Sequence, residues 1–205
     1  MFEDQSHNTI RVWDPIVRIG HWVLVAAFAT AFLTEGEPEW LHTTAGYAIA
    51  VTVALRLVWG FVGPEHARFS GFVTGPAAVW TYLRGLASGR SKRHLGHSPA
   101  GGAMTVALLI MLGVTAVSGM GTLAAEEGRG PLAGIVASSS AHDHGVYHED
   151  DDHDEAGELW EEVHEVAANL SLVLVVLHLG GVAIASYAHR ENLVRAMITG
   201  RKPAR

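Results

Sequence analysis

The chain has no cysteine at any of its 205 positions, and that absence excludes iron–sulfur clusters, thioether-bound c-type haem, thiolate zinc sites and disulfides. Charge is scarce as well: Asp, Glu, Lys and Arg make up 17% of the residues and apolar types 49%, against about 25% charge in an ordinary soluble domain. Charged residues are missing altogether from 19–34, from 43–64 apart from Arg56, from 95–125 and from 166–189. The start, MFEDQSHNTIRVWDP, lacks the basic opening of a signal peptide, and no small-residue cleavage site follows the first apolar run. That run is expected to remain as a helix.

What is present in those stretches is Leu, Ala, Val and Gly without period-two alternation, which favours helices over the strands of an outer-membrane barrel. A helix needs about 20 apolar residues to cross a bilayer. The expected fold class is therefore all-α, an integral membrane four-helix bundle in one domain over 1–205. Its helices are expected at about 15–35, 42–63, 102–125 and 160–189. Met104, Met111 and Met120 read as filler in the third, which carries no histidine and serves as a packing wall.

The net charge of −7 hides an asymmetry. Arg and Lys gather before the first helix, between the second and third, and after the fourth, while the other two loops are acidic. The positive-inside rule then places both termini in the cytoplasm of a bacterial inner membrane. The middle loop contains AAVWTYLRGL, an expected short interfacial helix, and His66, His94 and His97, which read as cytoplasmic surface histidines. The loop expected at about 126–160 carries His142, His144, His148 and His153 among carboxylates; it reads either as a divalent-metal site or as an acidic face for a cationic partner.

Two histidines, His164 and His178, lie 14 residues apart on the fourth helix, close to four turns, so both project from one face about 21 Å apart. An imidazole at membrane depth is costly, and it is a strong ligand for haem iron. His21 sits in the first helix and His42 opens the second. Helix direction puts His21 level with His178 and His42 level with His164, two bis-histidine sites stacked across the bilayer. Two b haems follow, and their iron ligands are the four histidines. Arg18, one turn before His21, suits a haem propionate or a lipid phosphate. Arg56 suits propionate pairing or snorkelling to headgroups. Gly46, one turn after His42, removes bulk that a macrocycle or a close helix would need.

At this point VWDPIVRIGHW, LHTTAGYAIA, RLVWGFVGPEHARFSGFVTGP, GHSPAGG, LHLGGV and ENLVRAMITGRK stand in order along the chain. Together they resemble the bacterial and nickel-hydrogenase cytochrome b561 family over nearly the whole length. The resemblance implies a four-helix bundle with two b haems, with axial ligands falling on the same four histidines. It also implies electron transfer between a membrane quinone or quinol and another redox protein. Such proteins often serve as the membrane subunit of a hydrogenase or other dehydrogenase, and one branch oxidises superoxide. The expected function is a relay between the quinone pool and a periplasmic c-type cytochrome or dehydrogenase subunit. A superoxide:quinone oxidoreductase and a metal-handling membrane subunit are the alternatives. Membrane lipid surrounds the protein, and no nucleic-acid partner is expected. An anion-gathering enzyme would want a cationic periplasmic face, whereas the face expected here is acidic.

Overall fold

The computed structural model describes residues 9–34, 37–136 and 151–204, without the side chains of 151–156. Glu35, His142, His144 and His148 and the side chain of His153 lie outside the described residues. Strand β1 (Thr9–Arg11) is followed by α1 (Pro15–Thr34), α2 (Glu39–Val62), the single turn α3 (Phe69–Phe72) and α4 (Pro76–Ala87). Next come α5 (Pro99–Glu127), α6 (Asp151–His189), α7 (Leu193–Thr199) and strand β2 (Arg201–Pro203). Helices α1, α2 and α5, with residues Gly157–His189 of α6, are each long and apolar enough to cross a membrane. The protein is an all-α membrane four-helix bundle. The exteriors of these helices carry Leu33, Phe61 and Leu179 at 81%, 75% and 62% exposure. Such faces suit lipid and would associate in water.

The helix limits have local causes. Asp14 accepts the N–H groups of Ile16 and Val17 at 2.8 and 3.1 Å, capping α1 ahead of Pro15. At α5, Ser98 Oγ accepts Gly101 N–H at 3.1 Å across the first turn. Helix α6 begins well before the expected start near 160, because DDHDEAGELW is acidic, a composition suited to the positive end of a helix. The AAVWTYLRGL segment is helical as expected: α4 exposes Trp80 and Leu83 and buries Tyr82, with Arg84 Cζ 4.8 Å from the Trp80 ring centroid.

The described chain divides into two compact units. One comprises residues up to Val25, Ala54–Ala107 and Leu174–Arg205. It is tied together by its chain ends: β1 and β2 pair antiparallel with Ile10 opposite Lys202, and Gly200 O accepts Val12 N–H at 2.9 Å. Gly200 has φ +78°, a conformation that glycine adopts without penalty. Lys202 is 4% exposed, with Nζ 3.9 Å from Glu191 Oε2, and Glu191 in turn pairs with Arg93. Asp14 Oδ2 also accepts from Trp59 Nε1 at 3.2 Å, which joins α1 to α2.

The second unit comprises Ala26–Val53 and Leu108–Val173. Small hydroxyl side chains pack α5 on α6 here. Ser118 and Ser171 are 1% and 0% exposed, and Ser171 Oγ lies 3.2 Å from Thr115 Oγ1. Serine and threonine let helices approach closely and satisfy each other where lipid offers no partner.

Candidate functional site

Each unit brings two of the sequence-predicted histidines close together, the rings tilted by 56° in one pair and set edge-on at 76° in the other. The ring centroids of His21 and His178 are 6.4 Å apart in the first unit, and those of His42 and His164 are 6.0 Å apart in the second. A metal–imidazole bond is about 2 Å long and a ring nitrogen lies roughly 1 Å from the ring centre, so two imidazoles on opposite sides of one metal ion have centroids about 6 Å apart. Both pairs have that spacing. Among the described residues no group of three or more His, Asp or Glu is arranged around a metal ion. Two protein nitrogens per site suit a metal whose other ligands come from a macrocycle, and imidazole pairs of this kind fit haem iron.

The outer shell of the second pair is well defined. His42 Nδ1 lies 3.0 Å from Ala31 O, and His164 Nδ1 lies 2.9 Å from Thr115 O and 3.3 Å from Ser118 Oγ. A ring nitrogen facing a carbonyl carries the proton, so in both rings Nδ1 donates and Nε2 keeps its lone pair for a metal. Gly119 makes room for the second ring. A Cβ at that position would come within 2.8 Å of His164 Cε1 and 3.0 Å of Nδ1. A Cβ at Gly46 would meet nothing within 4 Å, so no neighbouring helix demands this glycine, and the space beside His42 is open as a flat ligand requires.

These contacts identify what the sequence reading missed. Helix α5 holds more than a packing wall, since Thr115, Ser118 and Gly119 seat and orient His164. Their signal in the sequence is a run of small and hydroxyl residues three and four apart in an otherwise bulky helix.

The arginines have different surroundings. Arg18 donates through Nε to Met197 O at 3.2 Å and through Nη2 to Ile198 O, so it satisfies carbonyls of α7. Arg56 Nη2 donates to Ala67 O at 3.0 Å while its Cζ lies over the rings of Phe69 and Phe72 at 5.1 and 5.8 Å. His97, expected on the surface, is instead half-buried with Nδ1 out of solvent, its ring 4.7 Å from that of Trp13 and 4.3 Å from that of Phe72. The reason is its place just before the start of α5, where the ring packs against Trp13 ahead of α1 and Phe72 of α3.

The profile of a protein family described as prokaryotic cytochrome b561 matches residues 12–200. The chain belongs to the prokaryotic cytochrome b561 family. It is therefore a b-type membrane cytochrome of electron transport. It is similar to a probable Ni/Fe-hydrogenase B-type cytochrome subunit of Rhizobium leguminosarum bv. viciae, 23% identical over 230 aligned residues that cover 96% of this chain and 90% of the relative. No solved structure matches the chain significantly.

Proposed function

We propose that this cytochrome b561 relays electrons across the cytoplasmic membrane through two b haems, between the quinone pool and a redox partner on the periplasmic face. The observation that carries the reading is the pair of opposed imidazoles in each unit at the spacing of one metal ion. His21 and His178 hold the cytoplasmic-side haem, and His42 and His164 hold the periplasmic-side one. When bound by two such imidazoles, haem would supply one-electron chemistry. The protein's own part is to orient the rings: the carbonyls of Ala31 and Thr115 hold the Nδ1 protons of His42 and His164. The lipid-facing helix exteriors limit water at both sites.

Both termini and the middle loop lie in the cytoplasm by the positive-inside rule. The partner is a hydrogenase or dehydrogenase subunit or a c-type cytochrome, a reading supported by the hydrogenase subunit to which the chain is similar. The superoxide alternative finds less support, because Glu158, Glu161, Glu162 and Glu165 are all exposed on α6 around His164 and repel an anion.

Pyridine haemochrome analysis of the purified protein should give about two b haems per chain, one for each imidazole pair. His178→Ala and His42→Ala should each remove a different one. Retention of two low-spin haems in both variants would refute the ligand assignment.

A further inference from the structure

Among the described residues, three buried side-chain nitrogens have no hydrogen-bond partner: His21 Nδ1, Arg56 Nη1 and His97 Nδ1. All three belong to the unit that contains His21 and His178. Arg56 and His97 share one aromatic neighbour, with Arg56 Cζ 5.8 Å and the His97 centroid 4.3 Å from the centroid of Phe72. Both are held in place by other contacts. Ala67 O takes one Arg56 nitrogen, and Trp13 meets the His97 ring edge-on at 72°. An unpaired donor away from water is costly, and a guanidinium more so than a neutral group.

Burial first, and then the basic groups Arg56, Lys202, His178 and His66, push the His97 pKa down to about 3. At neutral pH its ring is uncharged and has a single N–H to offer. The free guanidinium nitrogen calls for an acceptor, and a carboxylate is the strongest one. Asp14 is the acidic group whose charge acts on Arg56, yet its oxygens are engaged by the α1 backbone and by Trp59. Arg18 is already taken up by the carbonyls of Met197 and Ile198.

We propose that Arg56 Nη1 and His97 Nδ1 form a two-point carboxylate cradle that receives a propionate of the haem held by His21 and His178. This rests on the di-haem reading and adds His97 to the cofactor site. The charge-assisted bond from Arg56 satisfies its free nitrogen, while His97 gives a second, neutral donor. A quinone carbonyl at the same place would offer the guanidinium only a neutral acceptor, so the carboxylate is the better match.

The test uses the haem-loaded protein in detergent and compares Arg56→Gln, Arg56→Lys, His97→Phe and His97→Gln with the parent. Redox titration resolves two haems, and His178→Ala identifies which signal belongs to the His21/His178 site. Arg56→Gln removes a positive charge that disfavours the ferric haem, so the potential of that haem should fall by about tenfold in the one-electron equilibrium, about 59 mV. The His42/His164 haem should not move. Arg56→Lys should retain most of the potential, and His97→Gln more of it than His97→Phe. The propionate-bending band in resonance Raman should shift in Arg56→Gln and His97→Phe. Native potentials and an unshifted band in those two variants, with both haems bound, would overturn the cradle and leave the four-histidine reading intact. Unchanged potentials together with lost reduction by quinol would assign the spot to quinone and equally overturn it. Retention of both haems in His178→Ala would instead defeat the underlying di-haem reading. Should His97→Phe lose haem through misfolding, the Arg56→Gln and Arg56→Lys pair still decides the matter.

Discussion

A single missing methyl group determines whether His164 can stand where it does. Gly119 faces the ring so closely that a Cβ there would lie 2.8 Å from Cε1, and the ring cannot retreat without leaving the Thr115 carbonyl at 2.9 Å. Gly119→Ala should therefore displace His164 and cost about 1–3 kcal/mol, the usual penalty for overfilling a packed site. Loss or high-spin conversion of one haem, with the other unaffected, is the expected outcome in absorption and electron paramagnetic resonance spectra. Two unperturbed low-spin signals would show that the glycine is dispensable. Ser118→Ala takes from His164 only the longer contact at 3.3 Å, besides the serine's own bonds to the carbonyls of Val114 and Thr115, and should leave both haems in place. Arg18 and Arg56 differ in the same local way, since one has carbonyls around its fork and the other keeps a buried nitrogen without a protein acceptor.

At the level of elements, the four long helices are set by apolar length, and the ends of the chain are set by pairing. Strand β2 is too short to persist alone, and it is held by β1, by the carbonyl of Gly200 and by the buried ammonium of Lys202 between Glu191 and His94 O. Lys202→Met removes one partner of Glu191 and leaves Arg93. The expected loss is about 1–3 kcal/mol, that of a partly compensated buried polar group. Thermal melting in detergent should show a lower midpoint for this variant, with haem absorbance unchanged before the melt. An unaltered midpoint would mean that strand pairing alone secures the chain ends.

For the whole molecule the distribution of charge matters more than its sum of −7. Exposed carboxylates of α6 surround His164, and Glu39 stands at the start of α2 near His42. Arg129 moderates this field, since it pairs with Glu39 at 2.7 Å and with Glu127. A cationic partner should be steered toward this face, and steering between exposed charges weakens as the Debye length falls to about 10 Å at 0.1 M salt. Stopped-flow electron exchange with a basic c-type cytochrome should accordingly slow as salt rises. Changing Glu158, Glu161, Glu162 and Glu165 together to Gln should slow it at low salt and flatten the salt dependence. Fast haem reduction by superoxide, coupled to quinone reduction and indifferent to these glutamates, would favour the enzymatic alternative over the relay.

The sequence by itself determined the solvent, the helical class, the membrane-spanning segments and the partnering of His21 with His178 and His42 with His164. All of these follow from composition, from runs without charge, from the helical repeat and from the alternating direction of successive spans, and such regularities are visible in one dimension. Tertiary structure decided the rest. The acceptor for His164 lies 49 residues away at Thr115, and the carbonyls that take Arg18 lie 179 and 180 residues away. The burial of His97 depends on Trp13 and Phe72, which come from separate parts of the chain. No periodicity encodes these meetings, because each is set by which faces of different helices pack together and by the room that a glycine or serine leaves between them.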